Sequence, residues 1–129
     1  MRRRLAPGEK PLLWVGSSKR DLLGMPDPVV RQTGVAMSVA RYGGKHPDAK
    51  PLEGVGPGVF VVVSDFKTDT FRAAYVVRFE RAVYVLHCFQ KKSPSGTRTA
   101  KTDVEMIERR LKAAQADYEV RYGQASQKS

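Results

Sequence analysis

The stretch VFVVVSDFKTDTFRAAYVVRFERAVYVLHCF, residues 59–89, decides the fold of this chain. It contains three segments rich in β-branched and aromatic residues, Val59 to Phe66, Thr70 to Phe79 and Ala82 to Phe89. The breaks between them, KTD and ER, are short and polar, which is typical of hairpin turns. The stretch therefore predicts an antiparallel meander. We expect VFVVV to be its central strand, because apolar and polar residues do not alternate there.

Upstream of the meander, the sequence predicts one strand and two helices. PLLWV at residues 11–15 predicts a first strand, and KRDLLG predicts a short helical turn capped by Ser17 or Ser18. DPVVRQTGVAMSVARYGG at residues 27–44 predicts an amphipathic helix, with Asp27 as its N-cap and Pro28 at its first position. The following residues, 43–58, are dense in glycine, proline and charge and predict a surface connection.

Downstream of the meander, TDVE at residues 102–105 has the pattern of a capping box at a helix start. An apolar stripe at helical spacing extends this helix to Tyr122. The fold class is therefore α+β: an antiparallel sheet meander with two N-terminal helices and a C-terminal helix. We expect a flexible basic arm at residues 1–10, a single domain at 11–122 and a disordered tail at 123–129.

The composition restricts the partners and the compartment. A net charge of +10 and a pI near 10.1 favour a polyanionic partner such as nucleic acid. Cys88 is the only cysteine, so an internal disulfide is impossible and the reducing cytoplasm fits best. The apolar runs are far shorter than the roughly 20 residues of a membrane helix, so we expect no membrane association. Glycine-rich nucleotide-binding motifs and metal-ligand spacings are absent from the sequence, so we expect no cofactor and no metal.

Two arginines on the predicted second meander strand are candidates for phosphate binding. Strand geometry places Arg72 and Arg78 on one face, with Ala74 and Val76 between them as an open floor. Guanidinium groups match phosphate oxygens and stay charged, so this face is suited to an RNA backbone. The alternative is that two arginines on a solvated face only increase solubility.

The next predicted strand ends in a histidine and a lysine pair. Alternation places His87 on the side of Val83, Val85 and Lys91, and Cys88 on the other side. We expect the adjacent ammonium groups of Lys91 and Lys92 to favour proton transfer near neutrality, because each charge disfavours the other. The alternatives are a structural histidine, which is the commoner case for a lone histidine among apolar residues, and an ordinary basic strand end.

Taken together, these stretches resemble a known toxin family. LLWVGSSKRDL, ARYGGKHPDAKPLEGVG, DTFRAAYVVRF and YVLHCFQKKS, followed by T-x-K and a basic helix, resemble the HigB-like toxins, the phage-related branch of the RelE/ParE superfamily. The resemblance implies a small RelE-like fold and a ribosome-dependent endoribonuclease. Such enzymes cut mRNA without a metal, by attack of the ribose 2′-hydroxyl on the adjacent phosphate. The implied partners are a helix-turn-helix antitoxin, in a complex with the toxin, and the ribosome with its mRNA.

The same resemblance assigns roles to individual residues. It implies that Arg72 stabilises the phosphate and that Lys91, Lys92 and His87 take part in catalysis. Three further cations would bind RNA: Arg78, Lys67 and Lys45. The family's C-terminal catalytic tyrosine or histidine has no secure counterpart, since Tyr118 and Tyr122 lie in the predicted helix. Two alternatives stay open: a ParE-like toxin that binds DNA gyrase without cutting RNA, and an inactive phage-derived protein that keeps the fold.

Overall fold

The structure is a computed structural model that describes residues 4–91 and 99–123. These residues form an α+β fold, which confirms the predicted class. In chain order the elements are β1 (Leu12–Trp14), α1 (Ser18–Leu23), α2 (Asp27–Arg41), β2 (Ala49–Pro51), β3 (Val59–Phe66), β4 (Asp69–Val76), β5 (Val83–Gln90) and α3 (Lys101–Tyr122).

The strands form one mixed sheet in the order β1-β5-β4-β3-β2. The predicted meander of β3, β4 and β5 is antiparallel and confirmed, and β1 joins it by pairing in parallel with β5. One expectation is wrong: the central strand is β4, not the VFVVV strand β3. The 43–58 connection lies mostly at the surface, as predicted, and also contains the short edge strand β2. The continuous apolar run of β3 results from burial on both of its faces. A strand next to the edge strand is buried in the same way when helices cover both faces, so the run does not identify the central strand.

Helices cover both faces of the sheet. On one face, which we call the α1/α2 layer, apolar residues of the sheet pack against Leu22, Ala36, Met37 and Ala40. On the other face, the α3 layer, they pack against Ile107, Leu111, Ala114 and Tyr118 of the long helix. Ala74 and Val76 of β4 are completely buried in the α3 layer. The expected open floor between Arg72 and Arg78 is therefore wrong, because α3 lies over it.

A β-bulge in β5 changes which side chains reach which layer. Ala74 of β4 pairs with His87 and Tyr75 pairs with Val85, which leaves Leu86 as an extra residue. Leu86 packs in the α3 layer and Val85 in the α1/α2 layer. His87 also lies on the α3 side, whereas Cys88 lies on the opposite side. The prediction that His87 and Cys88 point apart is confirmed, but the grouping of His87 with Val85 is wrong, because the bulge interrupts the period of two.

Helix α2 begins one residue earlier, and helix α3 two residues earlier, than their capping patterns predict. Pro26 and Ala100 occupy the N-cap positions of α2 and α3, and neither helix has a side-chain cap hydrogen bond. Asp27 and Thr102 lie inside the first turn, as does Asp103. Carboxylates in the first turn are favourable without capping, because they interact with the positive end of the helix dipole.

The described part of the N-terminal segment is attached to the end of α2. The Lys10 backbone N–H donates to the Arg41 carbonyl at 2.9 Å, and the Arg41 side chain donates to the Lys10 carbonyl at 2.7 Å. Glu9 forms an ion pair with Arg41 at 3.3 Å. The predicted boundaries of the arm, the domain and the tail stay predictions, and residues 124–129 of the tail lie outside the described part.

Two kinds of feature are missing from residues 4–91 and 99–123. In these ranges no helix is both long and apolar enough to cross a bilayer. The same ranges hold no group of three or more His, Cys, Asp or Glu side chains arranged to bind a metal ion.

Candidate functional site

Arg72 lines a cleft on the α3 side of the sheet, near the start of the long helix. The residue lies in β4 between Val63 of β3 and Phe89 of β5. The cleft has a volume of about 240 Å³, and its lining residues are Lys50, Pro51, Leu52, Val61, Val63, Arg72 and Thr99. Because most of this lining is apolar, a charge inside the cleft is screened less than on an open surface.

The Arg72 guanidinium is buried and has few partners. Arg72 is 7% exposed, its NH1 group donates to Thr99 Oγ1 at 2.8 Å, and its Nε has no hydrogen-bond partner among the described residues. Burial lowers the pKa of Arg72 from its ordinary value. Arginine nevertheless stays protonated in proteins, so the cleft contains a permanent positive charge.

His87 forms a part-buried pair with Asp103 in the first turn of α3. Its Nε2 lies 2.8 Å from Asp103 Oδ1, and its ring stacks on Phe89 with 4.6 Å between centroids. The other ring nitrogen, Nδ1, is buried and has no hydrogen-bond partner within the described ranges. The carboxylate therefore holds the imidazole in one orientation, as in other Asp–His pairs. In this orientation neither ring nitrogen is open to an external ligand.

Lys91 and Lys67 lie at the same end of the sheet as Arg72. Lys91 follows β5, is half-buried, and its backbone N–H donates to the Thr70 carbonyl at 2.8 Å. Lys67 occupies the β3–β4 turn with a left-handed φ of 57°, and its Nζ lies 5.4 Å from the centroid of the Phe66 ring. Lys92, the other member of the predicted lysine pair, lies outside the described residues.

The other two predicted RNA-binding cations lie elsewhere. Arg78 follows the far end of β4, donates to Gln115 Oε1 at 3.1 Å and stacks its guanidinium on Phe79 at 5.4 Å. Lys45 has its Nζ 5.8 Å from the centroid of Phe60, a residue that packs against the α1/α2 layer. The structure thus brings Arg72, His87, Lys91 and Lys67 to one end of the sheet, and it does not bring Arg78 or Lys45 there.

Cys88 lacks the properties of a reactive thiol. It is buried in the α1/α2 layer, and this burial raises its pKa to about 12. The thiolate, which is the nucleophilic form, is therefore scarce at neutral pH. This agrees with the sequence interpretation of Cys88 as a core residue.

Three residues of this region have no assigned role from the sequence: Lys50, Thr99 and Asp103. Lys50 reaches the cleft through the missed strand β2, and Thr99 belongs to the T-x-K pattern before α3. Asp103 is the second residue of the predicted capping box. Of the three, only Thr99 could have been found from the sequence, through the T-x-K pattern. The positions of Lys50 and Asp103 at this site depend on contacts between distant parts of the chain.

Comparison with known proteins places the chain in a family. The family model described as phage derived protein Gp49-like (DUF891) matches residues 20–112, which is more than two thirds of the chain. The chain belongs to the Gp49-like family. No curated protein matches it.

The Gp49-like family is a RelE/ParE-like family of toxins from toxin-antitoxin systems. Membership implies an antitoxin as the partner of this chain. The family match extends from α1 into α3 and includes Arg72, His87, Lys91 and Thr99. It ends before the last turns of α3, where Tyr118 and Tyr122 lie.

Proposed function

We propose that this Gp49-like protein is the toxin of a type II toxin-antitoxin system and acts as a ribosome-dependent endoribonuclease, like the HigB-like toxins that it resembles. In this reaction the 2′-hydroxyl of a ribose attacks the adjacent phosphate of the mRNA. The products are a cyclic phosphate and a free 5′-hydroxyl. No cofactor or metal takes part, and cleavage of the message stops translation.

The observation that supports this proposal best is the buried Arg72 in its cleft. Negative charge develops on the phosphate oxygens in the transition state, and a fixed cation with little solvent around it stabilises that charge strongly. Arg72 is such a cation, since it is 7% exposed and its guanidinium is held by Thr99. The net charge of +10 adds general attraction to an RNA backbone.

Proton transfer is assigned to the lysines and not to His87. His87 is held by Asp103 and its Nδ1 is buried, so its ring supports the position of β5 against α3. Lys91 follows directly after β5 at the cleft end of the sheet. In the proposal, Lys91 and Lys92 contact the substrate and move the proton, while Lys67 binds the RNA backbone nearby. Arg78 and Lys45 contact RNA or ribosome outside the cleft.

The proposed antitoxin is a small helix-turn-helix protein that binds the toxin and prevents its entry into the ribosome. The ribosome and the mRNA within it are then the target when the antitoxin is lost. We propose the cytoplasm as the place of action, since translating ribosomes are there.

The test is to induce the protein from a tightly repressed promoter and to map mRNA ends by primer extension. We expect growth arrest and new ends within codons. In a purified translation system, the same cuts appear with ribosomes and are absent from naked mRNA. Arg72→Ala abolishes the cuts, whereas the matched variant Arg31→Ala, an exposed arginine of α2 on the other face, retains them. Intact messages during growth arrest would contradict the proposal.

A second candidate is a ParE-like toxin that inhibits DNA gyrase. The burial of His87 Nδ1 and the pairing of Nε2 with Asp103 favour it, because a gyrase inhibitor needs no exposed proton-transfer group. The two candidates separate in one experiment. Inhibition of gyrase supercoiling by the purified protein, together with an SOS response and uncut mRNA, would establish the second.

A further inference from the structure

Within residues 4–91 and 99–123, no ion pair joins Arg72 to a carboxylate. The ion pairs seen there include Glu9 with Arg41, His46 with Asp48, His87 with Asp103, and Asp117 with Arg121. The sequence of residues 92–98, KSPSGTR, contains no aspartate or glutamate side chain either. Charged side chains are almost never buried without a partner, because removing them from water is costly. A buried arginine without a carboxylate therefore indicates an anion from outside the chain.

A second cation lies on the same face as Arg72. Lys50 of β2 pairs with Val61 of β3, and residues directly opposite in an antiparallel pair point to the same side of the sheet. Val61 packs in the α3 layer, so Lys50 belongs to that side as well and lines the cleft with Arg72. Lys50 is exposed, and its Nζ has no hydrogen bond or ion pair within residues 4–91 and 99–123. Two like charges at one cleft repel each other unless an anion lies between them.

Thr99 fixes the direction of the arginine. Its Oγ1 accepts the hydrogen bond from Arg72 NH1 at 2.8 Å. A hydroxyl that accepts one hydrogen bond still has its own O–H to donate. Thr99 thus occupies only the NH1 group of the guanidinium, and it adds a neutral donor to the lining of the cleft.

We propose that Arg72, Lys50 and Thr99 form a binding site for a single phosphate group, and that Lys50 and Thr99 belong to the substrate site of this protein. Arg72 donates to the phosphate through a guanidinium N–H group that Thr99 does not occupy, and Lys50 supplies the second positive charge. Thr99 is a positioning residue for Arg72. This inference rests on the proposed function in one respect, because the biological ligand is then a phosphodiester of the RNA backbone.

The cleft has suitable dimensions and surroundings for this ligand. Its volume of about 240 Å³ is well above the roughly 10 to 15 Å³ that one water molecule needs. Val61 and Val63 provide an apolar floor, which strengthens hydrogen bonds between the cations and an anion. Among the described residues that line the cleft there is no carboxylate, so these walls do not repel an anion.

The experiment is a titration of the full-length ¹⁵N-labelled protein with inorganic phosphate at constant ionic strength, followed by the Nε–Hε signals of arginine. We expect the Arg72 signal to move in a saturable way, whereas an equal concentration of chloride leaves it in place. Charge-assisted hydrogen bonds are among the stronger ones, so Lys50→Ala weakens phosphate binding about tenfold. The matched variant Lys19→Ala, an exposed lysine of α1, binds phosphate as the unchanged protein does.

Two threonine variants test the positioning role. Thr99→Val keeps the shape but removes the hydroxyl, and we expect weaker phosphate binding and a displaced Arg72 signal even without phosphate. Thr99→Ser keeps the hydroxyl and restores both. The inference is overturned if phosphate does not move the Arg72 signal, or if Lys50→Ala and Lys19→Ala bind phosphate equally. If the protein binds phosphate but leaves mRNA uncut, the phosphate site is supported and the proposed nuclease activity is contradicted.

Discussion

The two ends of the α3 layer differ in how completely their polar atoms are paired. At the end near the start of α3, Arg72 Nε and His87 Nδ1 are buried without a partner among the described residues. At the other end, which we call the tyrosine end, Tyr84 donates to Asp117 at 2.6 Å, and the Tyr118 hydroxyl accepts from the Arg81 backbone at 3.1 Å. Buried polar atoms without hydrogen bonds lower the stability of a fold. The tyrosine end therefore stabilises the protein, whereas the end with Arg72, which we call the cleft end, is destabilised by the unpaired atoms of the candidate site.

The pKa values at the tyrosine end agree with this difference. Burial raises the pKa of Tyr84, and its hydrogen bond to Asp117 raises it further. Burial alone would raise the pKa of Asp117, but hydrogen bonds from Tyr84 and Arg121 bring it below its ordinary value. Each group is thus held in the protonation state that its partner requires at neutral pH. The Asp117 contribution to stability is present above the ordinary carboxylate pKa and is lost as the pH falls through the lowered value.

The largest expected effect is the loss of Tyr118. Its side chain is completely buried and stacks on Phe79 with 4.7 Å between ring centroids. Truncation of a buried aromatic residue leaves a cavity, so we expect Tyr118→Ala to lower the free energy of unfolding by about 3 to 5 kcal/mol in urea denaturation. Tyr42→Ala, which truncates a tyrosine that is 56% exposed, serves as the control and changes it by less than about 0.5 kcal/mol. Equal changes in the free energy of unfolding for the two variants would contradict a stabilising role of the tyrosine end.

The second effect separates function from stability at the cleft end. Arg72→Met replaces a buried unpaired charge by an apolar side chain of similar length, so stability stays equal or increases by about 1 kcal/mol. In the proposed reaction, loss of this cation lowers the rate of mRNA cleavage by about 10² to 10³. Arg31→Met is the control for both measurements. A strong destabilisation by Arg72→Met would instead assign Arg72 to the structural core.

The third effect concerns the His87–Asp103 pair between β5 and α3. Asp103→Ala removes the partner of the part-buried His87 Nε2, so we expect a loss of about 1 to 3 kcal/mol in the free energy of unfolding. Glu105→Ala, an exposed acidic residue in the same region of α3, is the control. In a double-mutant cycle, we expect His87→Leu to lower the free energy of unfolding by less in the Asp103→Ala background than in the unchanged protein. Additive losses would show that the two residues do not interact.

The smallest effect is expected at the β3–β4 turn. Lys67 has a left-handed φ of 57°, which costs a residue with a Cβ atom about 1 to 2 kcal/mol. Glycine avoids this cost but loses more chain entropy on folding, so Lys67→Gly raises stability by about 0.5 kcal/mol. Lys67→Ala removes the same charge and keeps the strain, so it serves as the control. A gain in both variants would assign the effect to the charge and not to the backbone.

Much of the fold was predictable because its signals are local. The three meander strands, both N-terminal helices and the stripe of α3 follow from the periods of two and 3.6 residues, and the structure contains all of them. The bulge at Leu86 was not predictable, because one inserted residue leaves no mark in a run of apolar side chains. Strand β2 was missed because its three residues, AKP, form a strand only through pairing with β3.

The candidate site was predictable only in part, for a related reason. Alternation along the strands indicated Arg72 and separated His87 from Cys88. Thr99 and Lys50 lie 27 and 22 positions from Arg72 in the sequence, and only the folded chain brings them to one cleft. The assignment of Arg78 to the same face as Arg72 followed from the period of two, but α3 covers the surface between them.

Arg110 has a consequence for the order in which the chain folds. Its side chain donates to the Leu86 carbonyl at 3.0 Å and to Ser17 Oγ at 3.2 Å, so it joins the bulge to Ser17, which lies 93 positions before Arg110 in the sequence. The hairpins of the meander close short loops, whereas this contact closes a much longer one and costs more entropy. We therefore expect the contact to form after the rate-limiting step. Arg110→Met would then accelerate unfolding and leave the folding rate nearly unchanged in stopped-flow kinetics, and a slower folding rate would place the contact in the folding nucleus.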